Sequence, residues 1–235
     1  MELGGKNPLI VMEDADLDQA VDLAVKGGFS LTGQACTGTS RILVVKQVRA
    51  AFLDRLVAKM ATLKIGNGLR SGIDLGPLAT EKQYETVLKY LEIGRKEAKL
   101  VAGGRALSGP DHEHGFFVEP AVFAEVSPRA RIAREEIFGP VLAVIDVDGY
   151  RDAIEKANDS PYGLSAAIAT RNPRYVHDFC RDIESGTVKI NRTTTGNLTN
   201  APFGGYKSSS SSGFRESGRV GLDFFTQTKT VYRAA

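Results

Sequence analysis

Short runs of β-branched and aliphatic residues alternate along the whole chain with longer windows in which an apolar residue recurs every third or fourth position, and this rhythm limits the fold more than any other feature. "LDQAVDLAVKG" sets Leu17, Ala20, Val21 and Ala24 on one helical stripe, with Asp16 placed as N-cap. "RILVV" (41–45) reads as a strand, and Val48, Phe52, Leu56, Met60 and Leu63 then mark a helix that the glycines of "IGNG" end. Tyr84, Val87, Leu88 and Leu91 predict another helix, and "KLVAGG" and "FFVEPAVF" read as extended. "VLAVIDV" (141–147) is a buried strand, "YRDAIEKAND" a helix and "LSAAIAT" (164–170) a further strand. Asn172 caps a helix with Pro173 in its first turn and Gly186 at its close; "TVKIN" (187–191) and "TKTVYR" are the last strands. Strands that alternate with helices pair in parallel through crossovers, so the expected fold class is α/β, a mostly parallel sheet flanked by helices.

Thr193 to Gly213 breaks the rhythm with a stretch rich in Thr, Asn, Gly and Ser, including five serines at 208–212. A loop of that length in a compact domain is either functional or disordered.

Bulk properties narrow the class. With 235 residues, 42% of them hydrophobic, the chain can bury a proper core. Thirty basic against 28 acidic side chains leave a net charge of +2 and no basic stripe of the kind nucleic-acid binders carry. No apolar run is long enough to cross a bilayer, and no basic-then-apolar leader opens the sequence, so neither nucleic acid nor membrane is an expected partner. Two cysteines, Cys36 and Cys180, make no disulfide framework, and the expected setting is reducing and cytoplasmic.

Cys36 lies in "GQACTGTSR" (33–41), with no bulky apolar residue within three positions. Two readings compete there: a small residue where space is short, or a reactive thiolate on an open loop. Reactivity needs access and a lowered pKa; the small neighbours give access, and Gly33 and Gly38 permit backbone geometries that aim amides at the sulfur. The histidines are poor bases for it: His112 and His114 lie in the turn-like "GPDHEHG", where no third metal ligand is evident, and His177 sits mid-helix. Carboxylates are better placed. Glu2 precedes two glycines by one residue in "MELGGKNP", and Glu135 and Glu136 precede an aromatic and a Gly-Pro turn in "REEIFGPV". A glutamate beside an apolar pocket has its pKa raised and can take a proton from water near neutrality, although each alone is equally a surface acid.

Seven stretches together resemble the aldehyde dehydrogenase superfamily, in its order and spacing: "ELGGKNP" (2–8), "FSLTGQACTGTSRILV" (29–44), "GPL" (76–78), "EEIFGPV" (135–141), "NDSPYGLSAAI" (158–168), "GTVKIN" (186–191) and "APFGGYKSS" (201–209), followed by "RESG" (215–218). The resemblance implies that Cys36 is the nucleophile, adding to an aldehyde carbon to give a thiohemiacetal that loses hydride to NAD or NADP and becomes a thioester. It implies that Glu2 activates the hydrolytic water and that Glu216 relays protons toward Glu2. Glu136 is implied to hold the nicotinamide ribose, Phe138 to pack beside the nicotinamide, Leu3 and Gly4 to line its site, and Asn191 to open the loop shaping the substrate mouth. No metal is implied.

The resemblance also implies a missing part: the family's nucleotide-binding domain precedes "ELGGK". Residues 1–225 are expected to be the catalytic domain and 226–235 a remnant strand of an oligomerisation element. The isolated chain is then expected to turn over little or no substrate, to expose the apolar surface that faces the other domain, and to self-associate as a homo-oligomer. The substrate is expected to be a small aldehyde, with "NRTTTGN" faintly resembling branches that act on semialdehydes. Two other readings are a weak cysteine esterase and a non-catalytic assembly module. The family often has a glycine soon after the serine of its "PFGGxKxS" motif; here further serines precede Gly213.

Overall fold

The computed structural model describes residues 3–211 and 213–235; Met1, Glu2 and Ser212 lie outside the described residues. In chain order the elements are β1 (Asn7–Val11), α1 (Leu17–Phe29), β2 (Thr39–Val45), α2 (Lys46–Met60), α3 (Glu81–Glu97), β3 (Lys99–Ala102), β4 (Ala121–Ala124), α4 (Arg131–Arg134), β5 (Val141–Val147), α5 (Tyr150–Asn158), β6 (Tyr162–Gly163), β7 (Ser165–Ala169), α6 (Pro173–Asp182), β8 (Thr187–Ile190), β9 (Tyr206–Lys207) and α7 (Val220–Phe225). Among the described residues, seven strands form one sheet in the order β3-β4-β5-β2-β1-β7-β8. Every pairing in it is parallel except β3 with β4. The predicted α/β class holds.

Alternation along the central strands sends side chains to two faces, and helices cover both. Leu9, Val11, Ile42, Val44, Leu142 and Val144 pack with Ala20, Ala24 and Phe29 of α1 and Phe52 and Leu56 of α2. Ile10, Leu43, Val45, Ala143 and Ile145 pack with Val87 and Leu91 of α3, Ala153 and Ala157 of α5 and Phe179 of α6. Burying each large aliphatic side chain contributes roughly 1.5–3 kcal/mol, so the two-sided sheet is the main source of stability. The helix starts are set locally: Asp16 accepts from the Asp18 and Gln19 amides, Thr80 from Gln83 and Asn172 from Arg174.

β1, an interior strand between β2 and β7, is the one the sequence hides. Pro8 cannot donate to a ladder, and a proline argues against a central strand unless it sits at a bulge. It does so here: Asn7 pairs with Thr39 but Pro8 with Arg41, so Ser40 is an extra residue on β2. The slip turns Thr39 toward α1, where a Cβ on Gly27 would collide with its hydroxyl.

Three expectations need correction. "TKTVYR" forms no strand: Val231 and Tyr232 are exposed, and no ladder partner exists for them among the described residues. Without a neighbouring edge, an extended segment has nothing to pair with. The second helix stops at Met60, a full turn before "IGNG", because Ala61, Thr62 and Leu63 close back onto Val57, Lys59 and Met60. The helix capped by Asn172 likewise ends at Asp182 rather than Gly186.

Candidate active site

Ligands of open α/β sheets usually bind at the carboxyl ends of the strands. Here the chemistry-bearing segments gather at the opposite edge. Leu3–Gly5 lead into β1, the Cys36 turn leads into β2, Glu136–Phe138 lead into β5, and Ser165 begins β7.

Cys36 is exposed, on a turn closed by the Gly38 amide donating to the Ala35 carbonyl at 2.8 Å. Its approach is tight: Leu31, Thr32 and Gly33 have φ of 54°, 57° and 70°, a left-handed run that costs energy at the first two positions. Thr32 Oγ1 donating to Gly76 O (3.1 Å) and the Ala79 amide donating to Gln34 Oε1 (2.9 Å) hold it. Gly33 must be glycine twice over, for its φ and because a Cβ would sit 2.8 Å from Pro140 N. That contact brings the Cys36 loop against the Glu136–Phe138 loop.

The turn is gripped from behind. Asn7, buried at the head of β1, donates through Nδ2 to the Cys36 and Gly38 carbonyls, both at 2.9 Å, while its Oδ1 accepts from the Ser165 amide at 3.0 Å. Thr194 Oγ1 donates to the Thr37 carbonyl at 2.6 Å. Three consecutive carbonyls, 36 to 38, are thus pulled into the protein. In a planar trans peptide the N–H points opposite to the C=O, so the Thr37 N–H is turned away from Asn7.

Beside the turn, Glu136 is partly buried with Oε1 accepting from the Gly5 amide at 3.0 Å. A Cβ on Gly4 would lie 2.6 Å from Glu136 Cδ, so the carboxylate rests on bare backbone. Burial raises the Glu136 pKa, while the Gly5 N–H and then the Lys6 amine act to lower it. Its neighbour Glu135 is a different object: Arg131 and the Tyr90 hydroxyl hold its carboxyl down to about 2, and it is a structural ion pair. Phe138, at φ 55° and 39% exposed, is presented by Gln83, whose Nε2 donates to the Ile137 and Phe138 carbonyls at 2.7 and 2.8 Å.

Ser209 fixes the other side of this segment. It is fully buried; its Oγ donates to Gly4 O at 2.8 Å and accepts from the Gly163 amide at 3.0 Å, and its carbonyl accepts from the Leu3 amide at 2.9 Å. Lys6 follows directly and is 2% exposed, with no hydrogen bond to its Nζ among the described residues. Burial first, then the charge of Arg41, pulls its amine down to about 7.

An exposed thiol, an acid seated on a Gly-Gly backbone and a presented aromatic thus meet at one edge, in the order that the aldehyde dehydrogenase family pattern requires. The model of that family matches residues 1–231. The chain belongs to the aldehyde dehydrogenase family. It is 45% identical to an alpha-ketoglutarate semialdehyde dehydrogenase of Haloferax volcanii over 98% of its own length and 48% of that protein's. An alpha-ketoglutaric semialdehyde dehydrogenase of Bacillus subtilis is 42% identical over 99% of this chain and 48% of that protein. Among solved structures, a betaine aldehyde dehydrogenase from Staphylococcus aureus in complex with NAD+ superposes with a TM-score of 0.92 at 36% identity, covering 95% of this chain and 44% of that one. The chain spans about half the length of the curated relatives it matches.

Of the residues singled out by the aldehyde dehydrogenase pattern, the structure brings Cys36, Gly4, Leu3, Glu136 and Phe138 to one edge; Glu2 lies outside the described residues. Glu216 is exposed, its backbone paired with Phe203 of the "PFGG" loop. Asn191 sits at the far end of the sheet, its side chain exchanging hydrogen bonds with the Thr170 backbone at 3.0 and 2.9 Å. Its φ of 51° reverses the chain there. Sequence reasoning missed Asn7, Thr194 and Ser209 as site residues; the only signal was their place inside or beside quoted motifs.

Proposed function

We propose that this chain is the catalytic half of an NAD(P)-dependent aldehyde dehydrogenase that oxidises an aldehyde to a carboxylic acid through Cys36. The observation that carries the reading is the exposed Cys36 turn, whose carbonyls are drawn inward by Asn7 and Thr194, set beside the Glu136 carboxylate on the Gly4–Gly5 backbone.

The Cys36 thiolate adds to the aldehyde carbon. The Thr37 amide, turned away from Asn7, is the donor for the charge that develops on oxygen, and such a donor is typically worth ~3–4 kcal/mol. The bare Gly4–Gly5 backbone and the partly buried Glu136 fit a nicotinamide ribose: the carboxylate would accept hydrogen bonds from its hydroxyls, and Phe138 would offer a face to the ring. The nicotinamide, when bound, supplies the hydride acceptor. Glu2 takes the proton from the water that releases the acid from the Cys36 thioester, with Glu216 as the second acid of a proton relay with Glu2.

Two relatives named for a semialdehyde support a short dicarboxylic semialdehyde as the substrate class. Exposed Leu3, Leu31 and Phe138 at this edge support a second domain docking there. Residues 1–225 are the catalytic domain in this reading, and 226–235 belong to a contact between subunits. Glu136 and Phe138 engage only the nicotinamide end of a dinucleotide, so the chain by itself turns over negligibly. The test is the absorbance of reduced nicotinamide formed from semialdehyde and NAD. The expected result is no signal from this chain alone, a signal once the amino-terminal half of a relative is supplied, and none with Cys36→Ser. Robust turnover with Cys36→Ser would overturn the proposal.

A further inference from the structure

The long loop after β8 and the Cys36 turn are far apart in sequence, yet one side chain ties them. Thr193, Thr194 and Thr195 look alike in sequence, but only Thr194 of the three is fully buried. Thr193 and Thr195 satisfy each other locally. Thr194 reaches out in three directions. Its hydroxyl lies 2.6 Å from the Thr37 carbonyl and 2.8 Å from the Thr39 hydroxyl, and its own carbonyl accepts from Ser165 Oγ at 2.7 Å.

A hydroxyl has one proton to give. The Thr37 carbonyl can only accept, so it takes the Thr194 proton, and Thr39 must donate into Thr194 Oγ1. The chain of donation runs Thr39 to Thr194 to Thr37, one way. It depends on the β2 bulge, which turns Thr39 to this face, and on the reversal at Asn191. Asn191 is bonded to the residue just beyond the end of β7 and Thr194 to the first residue of β7, so the loop runs back along that strand to the reacting edge.

We propose that Thr194 is a positioning residue for Cys36, a strut through which the loop walling the substrate mouth and the nucleophile turn hold one another in place. The Thr37 carbonyl it grips shares a peptide plane with the Gly38 amide that closes the turn on Ala35. Fixing the carbonyl therefore fixes the hydrogen bond that shapes the turn. This rests on the reading of Cys36 as nucleophile.

The experiment compares Thr194→Val, which keeps the shape and loses the hydroxyl, with Thr194→Ser, which keeps the hydroxyl. Amide hydrogen exchange is read at Gly38 and at Leu43 and Val44 in β2, and iodoacetamide alkylation of Cys36 is followed across pH. In Thr194→Val, Gly38 exchange rises about tenfold, the equivalent of one lost hydrogen bond, with β2 protection unchanged. The alkylation midpoint moves to higher pH, since looser turn amides stabilise the thiolate less. Thr194→Ser restores both. The proposal is overturned by unchanged Gly38 exchange, by equal loss of protection throughout β2, or by Thr194→Ser behaving as Thr194→Val. Should the valine variant not fold, the wild-type chain decides: its Thr194 hydroxyl proton exchanges slowly with solvent, and fast exchange overturns the strut. A Cys36 thiol inert in the wild type counts against the proposed reaction and not against the strut, which the exchange data decide alone.

Discussion

Glu136 occupies the space a side chain on Gly4 would need: its Oε1 accepts from the Gly5 amide at 3.0 Å, and its Cδ would lie 2.6 Å from a Gly4 Cβ. The glycine is there for the carboxylate, not for its backbone angle, because Gly4 is outside the left-handed region.

Gly4→Ala is therefore expected to cost about 2 kcal/mol by overpacking, and Glu136→Ala should relieve most of it. Urea midpoints of the two single variants and the double variant check this. Additive losses would show that the contact is not what excludes a side chain at position 4.

Asn7 makes three buried hydrogen bonds with one amide. Asn7→Ala leaves two carbonyls and an N–H unsatisfied, for an expected loss of about 3–5 kcal/mol. Asn7→Asp keeps the acceptor for Ser165 but faces two carbonyls with a carboxylate. Its folded-state pKa is then raised, the folded state binds the extra proton, and stability falls as pH rises through that range. Denaturation of Asn7→Asp at pH 5 and pH 7 should find it more stable at pH 5.

Lys6 is a burial cost carried inside the site. Its amine is lowered to about 7 in the fold against 10.5 for the ordinary side chain. Between those values the unfolded chain binds more protons, so stability rises with pH from about 7 toward 10. Below 7 the full cost of a buried ammonium is present. Lys6→Met is expected to stabilise the chain most at pH 6, with a gain that shrinks steadily by pH 9. Thermal melts of both chains across that range measure it, and a gain independent of pH would contradict it.

Much of the fold was legible because hydrophobic period and caps are local. "VLAVIDV" is β5 to the residue, and Asp16 and Asn172 cap the helices they were expected to. β1 was not: no strand was expected over residues 7–11, and a proline in an interior strand is tolerated only at a bulge that no local signal announces. The site divides the same way. Cys36, Glu136 and Phe138 stand in recognisable motifs, whereas their supports come from far away: Asn7 is 29 residues from Cys36, Thr194 157 from Thr37 and Ser209 205 from Gly4. A hydrogen bond across such a separation is decided by strand order and register, and these emerge only when the sheet assembles.

The central claim is that the fold, not exposure alone, makes Cys36 reactive, and the chain carries its own control in Cys180, which is exposed on α6. Brief iodoacetamide treatment at neutral pH followed by peptide mass spectrometry compares the two thiols directly. The account predicts that Cys36 is alkylated on the order of tenfold faster than Cys180 in the folded chain, and that unfolding in urea brings the two rates together. Equal rates in the folded chain, or a preference for Cys36 that survives unfolding, would contradict it.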